Sequence, residues 1–173
     1  MADRPERFNR PGGNRPNNRP SREREERVEE EFEERVVEID RVSRTVKGGK
    51  RMRFRALVVI GNKKGKVGMG VGKAGDVQSS IQKAVNQAKK HLIDVPIVND
   101  TIPHETTHKY GSAVVFLKPA AAGTSIIAGG PVRAVIELAG IRNILSKIIG
   151  SSNKINNVRA TLETLASLKV AKE

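Results

Sequence analysis

The sequence predicts an α+β protein, with three strands and a helix first and a second small α+β unit after them. Three observations predict it. Apolar residues alternate with period two over 51–60; they recur at helical spacing after Asp76; and beyond residue 94 proline and glycine cut the chain into short extended runs before helical spacing returns twice. At 173 residues and 37% hydrophobic content there is material for one modest domain or two small ones, each with a limited core.

Residues 1–31 read as a flexible tail, rich in Arg, Asn and Pro and too poor in apolar side chains to offset the entropy of ordering. The tail is a basic arm or a linker, and the acidic residues Glu29, Glu30, Glu31, Glu33 and Glu34 temper the first reading. The first domain spans 32–95. Val36, Val37, Ile39 and Val42 mark its first strand, and Gly48-Gly49 a turn. In the second strand Met52, Phe54, Ala56, Val58 and Ile60 alternate with Arg51, Arg53, Arg55, Leu57 and Val59, so one face begins as arginine. A turn over 61–65 leads to a glycine-rich third strand over 66–73. Asp76 then caps a helix whose Val77, Ile81, Ala84, Val85, Ala88 and Leu92 fall on one face.

The second domain spans 96–173. Extended runs are expected at 95–98, 106–110 and 113–117. Gly129-Gly130-Pro131 opens a helix with Val132, Val135, Ile136 and Ala139 inward and Gly140 as terminator. A strand over 141–149 follows, and Ser152 or Asn153 caps a last helix carrying Ile155, Val158, Leu162, Leu165 and Ala166.

Charge is segregated. The whole chain carries +13, and residues 41–75 hold eleven Lys and Arg, eight Gly and no Asp or Glu. A solvated surface normally mixes signs, so this stretch is expected to face a polyanion. The cations are Arg41, Arg44, Lys47, Lys50 and Arg51 around Gly48 and Gly49; then Arg53 and Arg55; then Lys63, Lys64 and Lys66 around Gly65; and Lys73 beside the helix start. Each cation displaces condensed counterions, and glycine lets the backbone approach phosphate. With no Trp, one Tyr and four Phe, stacking of single-stranded bases has no platform, so recognition by shape and phosphate position on A-form RNA fits better. The absence of cysteine excludes disulfides, thiol catalysis and thiolate zinc sites. No apolar run approaches the ~20 residues of a membrane span, and a cytoplasmic location is expected.

Three motifs compete with this reading. His104-Glu105-Thr106-Thr107-His108 fits the H-E-x-x-H zinc pattern, which needs both histidines on one helix face; β-branched Thr106 and Thr107 and the nearby Gly111 resist helix. Gly70-Val71-Gly72-Lys73-Ala74-Gly75 fits G-x-G-x-x-G with Asp94 downstream, but its strand is glycine-broken and no β-α-β alternation follows. The same glycines at a helix start suit an RNA phosphate equally well. Gly65-Lys66-Val67-Gly68 resembles the G-x-x-G loop of KH domains, which joins helices, whereas strands flank it here.

Several motifs in register then carry a family resemblance: Arg41-Val42-Ser43-Arg44-Thr45-Val46-Lys47-Gly48-Gly49, Ala56-Leu57-Val58-Val59-Ile60-Gly61, Thr101-Ile102-Pro103-His104, Leu117-Lys118-Pro119-Ala120, Ile126-Ile127-Ala128-Gly129-Gly130 and Gly150-Ser151-Ser152-Asn153. From residue 32 to 168 the chain resembles the small-subunit ribosomal protein S five family of bacterial type. The resemblance implies a first domain related to the double-stranded-RNA-binding β-β-β-α fold and a second, β-α-β-α domain of the S five type. It implies a structural role without catalysis or cofactor, in the cytoplasmic ribosome, with the loop over 42–50, including Ser43 and Thr45, probing ribosomal RNA near the neck and helping to hold head against body. It also implies that Gly123, Thr124, Ser125, Gly129, Gly130 and Arg133 meet protein S four and influence decoding accuracy, that the second domain neighbours protein S eight, and that messenger RNA passes close by; no homo-oligomer is expected. Two positions depart from the family pattern. Ser125 stands where a third glycine is usual, which would cost about 1 kcal/mol or more if the position needs positive φ. Asn62 stands for a frequent aspartate and removes a negative charge beside Lys63 and Lys64.

Overall fold

A computed structural model describes residues 32–169, so the expected tail over 1–31 lies outside the described residues. The first half runs β1 (Glu33–Val46), β2 (Gly49–Gly61), β3 (Lys66–Ala74), α1 (Val77–Ala88) and β4 (Leu92–Asp94); the second runs β5 (Thr106–Tyr110), β6 (Ala113–Pro119), β7 (Ile126–Ile127), α2 (Gly130–Ala139), β8 (Ile144–Gly150) and α3 (Lys154–Ala166). The first sheet is antiparallel in the order β1-β2-β3-β4. The second has the order β5-β6-β8-β7, with β7 parallel to β8 across the α2 crossover. The α+β class and both domain types stand.

Three local expectations need correction, and one strand was not foreseen. Leu92 does not extend α1: the helix stops at Ala88, and the chain turns back so that Leu92 pairs with Gly68 as the start of β4. Residues 95–98 form no strand, and Val98 makes only an isolated bridge with Thr101. The strand expected from 141 begins at Ile144, because the backbone amides of Arg142 and Asn143 both donate to Asp100 O. The two-residue β7 is too short for any periodicity to reveal it.

Helix ends follow the sequence. The Asp76 carboxylate accepts from Ser79 N, and Asn153 Oδ1 accepts from Ile155 N at 3.0 Å. Pro131 sits in the first turn of α2, and Gly140 ends it at φ +93. The glycines of β3 explain the dinucleotide-like motif without a ligand. Gly70 and Gly72 face α1, and a Cβ there would lie 2.7 Å from Ala88 N and 2.6 Å from Ala84 N respectively. Their absent side chains let the helix settle directly on the strand.

Both faces of the first sheet are covered. Ala56, Val58 and Ile60 pack with Ala84, Val85 and Ala88 of α1. Leu57, Val59, Val67 and Met69 point the other way, into one cluster with Val132, Val135 and Ile136 of α2 and Val158, Leu162 and Leu165 of α3. All five residues over 56–60 are therefore at most 2% exposed. Each of Leu57 and Val59 contributes about 1.5–3 kcal/mol of burial that requires the second half of the chain. Hydrogen bonds reinforce the junction: in the β2–β3 turn, Lys63 N donates to Leu138 O at 3.0 Å and Gly65 N to Ala139 O at 2.9 Å, capping the end of α2. Asn62 shapes that turn, its Oδ1 accepting from Lys64 N and Lys66 N at 2.8 and 3.0 Å.

Candidate nucleic-acid interface

The β1–β2 ladder outruns its sheet. β3 pairs with β2 only from Phe54↔Ala74 to Gly61↔Val67, so the five pairs from Val42↔Arg53 to Val46↔Gly49 form a two-stranded ribbon about 17 Å long with no third strand. Such a ribbon is marginal in water on its own. Gly48 takes φ +97 at its tip, and residues 47–53 are all exposed.

Strand alternation sorts the side chains onto two faces. Arg44, Arg51 and Arg53 share one face with Val42 and Val46; Arg41, Ser43, Thr45 and Lys50 share the other with Met52. Arg44 and Arg51 are directly opposed, an arrangement of like charges that weakens a ladder unless an anion lies between them. Together with Arg53 and Lys73 they line a concavity of about 210 Å³. Among the described residues, no carboxylate pairs with Arg44, Arg51, Arg53 or Lys73. Lys47 and Lys50 at the tip are equally without a carboxylate there, while the Arg41 guanidinium lies against Met52 Sδ.

The remaining cations are placed differently. Arg55, at the ribbon's base, donates from Nε and Nη2 to Asp40 Oδ2 at 3.1 and 2.7 Å and so holds β1 to β2. Lys63, Lys64 and Lys66 sit at the other end of β2, about 40 Å from the ribbon tip, on the turn that caps α2, and Lys63 pairs with Glu33. The structure thus gathers Ser43, Arg44, Thr45, Lys47, Gly48, Gly49, Lys50, Arg51 and Arg53 into one ribbon, keeps Arg41, Arg55 and Lys73 at its root, and separates the three turn lysines from it.

The second predicted surface is the connection from β6 to α2. Gly123 and Ser125 both adopt positive φ, +90 and +65, so the condition attached to Ser125 is met. A residue that sequence reasoning missed organises this loop. Asn143, only 8% exposed, accepts from Gly123 N at 3.1 Å and from Ser125 N at 3.3 Å through the same Oδ1. Arg142, Ser146 and Lys147 are polar in the same expected strand, so nothing in the sequence set Asn143 apart. Gly129 and Gly130 start α2, while Thr124 N closes a turn on Ala121 O. Arg133 folds back: its Nη2 donates to Ile126 O at 2.8 Å, and Nε lies 3.9 Å from Glu137, which also pairs with Arg35 of β1.

The zinc pattern has no helix to stand on. His104 and Glu105 precede β5 and His108 lies within it, its Nδ1 3.6 Å from Glu163. Among the described residues no group of three or more His, Cys, Asp or Glu could hold a metal ion. No described helix is long and apolar enough to cross a membrane.

Comparison with known proteins gives the family of the chain. The model of the ribosomal protein S5 N-terminal domain matches residues 32–96, and that of its C-terminal domain residues 108–173. A small ribosomal subunit protein uS5 of Thermosynechococcus vestitus is 55% identical over 157 residues, 90% of either chain. The uS5 of Synechococcus elongatus is 53% identical over 84% of this chain and 81% of that one, and the uS5 of Thermotoga neapolitana 54% identical over 83% of each. By both domain matches and by identity along most of its length, the chain belongs to the ribosomal protein S5 family, whose members are structural proteins and not enzymes.

Proposed function

We propose that this chain is a structural component of the small ribosomal subunit in the cytoplasm, and that its β1–β2 ribbon clamps ribosomal RNA so as to steady head against body. The observation that carries this reading is the unsupported ribbon itself, with Arg44 opposed to Arg51 and Arg53 and Lys73 beside them. A marginal element bearing like charges face to face gains most from a phosphate backbone, which supplies both the missing contacts and the missing anion. Nothing in the site breaks or makes a covalent bond. Glycine turns and cations fix RNA segments relative to one another, and rigidity is the product.

The loop around Gly123, Thr124, Ser125, Gly129 and Gly130, with Arg133, supports a second role. On this reading it meets protein S four, the second domain packs near protein S eight, and the basic surface borders the path by which messenger RNA enters. An interface that breaks during subunit closure lets mutations shift a two-state balance by their differential energy in the two states. Arg133→Glu then changes misreading, read in a stop-codon readthrough assay, more than it changes assembly; unchanged readthrough in normally assembled subunits would refute that role.

The first experiment measures copies per high-salt-washed small subunit, by gradient sedimentation and quantitative mass spectrometry, for the wild type and for Arg44→Ser/Arg51→Ser/Arg53→Ser. One copy of wild type and a clear deficit of the variant are expected. Substoichiometric wild type in the free fraction would instead mark a transient RNA-binding factor.

A further inference from the structure

We infer that Met52 is an oxidation site through which peroxide controls the ribbon: its thioether becomes a sulfoxide, and the new oxygen captures the guanidinium of Arg41. What oxidation does to assembly rests on the reading of the ribbon as an RNA clamp. Where oxidation occurs does not.

The chain has three methionines, Met1, Met52 and Met69, of which Met1 lies outside the described residues. Met69 is 8% exposed, packed in the cluster with α2 and α3, whereas Met52 is 49% exposed on the part of β2 that has no third strand. Methionine usually fills gaps in a core or an apolar interface. Here its directly opposed neighbour is Ser43, and Arg41 is a diagonal neighbour on the same face. The Arg41 guanidinium is turned onto the sulfur: Nε lies 3.0 Å from Sδ, and Nη2 points at the same atom. Among the described residues no carboxylate pairs with Arg41. Thioether sulfur is a weak acceptor, so two charged donors are held by a partner that satisfies them poorly.

Oxidation changes that balance. A sulfur lone pair attacks one oxygen of hydrogen peroxide, and the O–O bond breaks as the S–O bond forms. The departing hydroxide takes the remaining hydroxyl proton and leaves as water; sulfur gives up two electrons and the peroxide accepts them. The new oxygen sits on an atom that Arg41 already touches. It is a far stronger acceptor than the thioether, and a hydrogen bond to it from a guanidinium is charge-assisted. Arg41 is then tied to Met52, and its fork is withdrawn from phosphate. Methionine sulfoxide reductases return the thioether, so the step is reversible. It acts on chains before assembly, when no RNA covers the ribbon, and withholds them from new subunits under oxidising conditions.

The test exposes the full chain to limiting hydrogen peroxide and follows its peptides by mass spectrometry. Met52 is expected to oxidise at least about tenfold faster than Met69, and equal rates refute the site. Oxidised chain and isotope-labelled reduced chain then compete for a limiting amount of small-subunit particles reconstituted without this protein. The reduced chain is expected to win by about three- to tenfold, the weight of a charge-assisted contact. Treatment with both methionine sulfoxide reductases, one for each epimer, should restore parity. Parity before that treatment refutes control of assembly. Met52→Leu conserves volume and should compete like reduced wild type with or without peroxide. A Met52→Leu chain that still responds to peroxide overturns the assignment, because the effect then comes from Met1 or Met69. In Arg41→Ala the loss on oxidation should shrink below about twofold, since the captured group is gone. An undiminished loss there refutes the capture. If neither chain enters the particles, the ribosomal reading fails and control of assembly falls with it, while the peptide rates judge the oxidation site on their own.

Discussion

Ser125→Gly should stabilise the free protein. Ser125 holds φ +65, is exposed, and its amide is fixed by Asn143 Oδ1 while its carbonyl accepts from Ile144 N at 3.3 Å. The left-handed conformation is therefore imposed on the residue from both sides. An L-residue in that region costs roughly 1–2 kcal/mol, which glycine removes. Against this stands the greater freedom glycine gives the unfolded chain, about 0.4–1 kcal/mol. The net is a gain of about 0.5–1 kcal/mol, or 1–4 °C in Tm for a chain of this size. Urea unfolding reads it as a rise in midpoint at constant m-value. Ser125→Ala retains the Cβ, and so the strain, and should stay close to wild type. A glycine variant no more stable than wild type, at unchanged m, would refute the argument that the loop stores strain at this residue.

Other substitutions probe other links. Gly72→Ala would drive a Cβ into the backbone of α1 and should cost about 1–3 kcal/mol or more, measured by the same unfolding, whereas Gly75→Ala, with nothing within 4 Å, should cost far less. Asn143→Ala leaves Gly123 N and Ser125 N without their acceptor and should cost about 1–3 kcal/mol; Asn143→Asp keeps an acceptor there and should retain most of the stability. Lys154 is raised above its ordinary 10.5, first by its hydrogen bond to Glu38 and then by that carboxylate's charge. A base whose folded pKa is raised lends stability that is complete below 10.5 and is lost as pH rises through the folded value. Wild type should therefore lose more stability than Lys154→Gln between pH 10 and 12, and parallel profiles would rule the pair out as a contributor.

Much of this architecture was legible because local rules and tertiary context agreed. The period-two run over 51–60, Asp76 and Asn153 as caps, and Pro131 with Gly140 bracketing α2 each express a backbone requirement in one or two residues. Leu92 misled because a residue at helical spacing is equally apolar when it turns back into a strand. The cationic stretch was legible as charge but not as shape. Separation of Arg44 from Lys63 depends on the register of a 13-residue strand, and sequence proximity hides it. Asn143 was illegible for a different reason: its acceptor serves amides 18 and 20 residues away, a relation set by the parallel pairing of β7 with β8 and by the Asp100 carbonyl that holds the Asn143 amide.

The cluster that joins Leu57 and Val59 to α2 and α3 bears on how the molecule is made. A ribosome synthesising this chain releases the first sheet well before Val132, Val158 and Leu165, so for that interval one face of β2 has helix α1 only on its reverse side. Vectorial synthesis favours domains that close as they emerge; this one stays open until its last helix arrives. A nascent chain ending near residue 100 should therefore engage chaperones and resist compaction, and completion of α3 becomes the event that commits the whole protein to its native state.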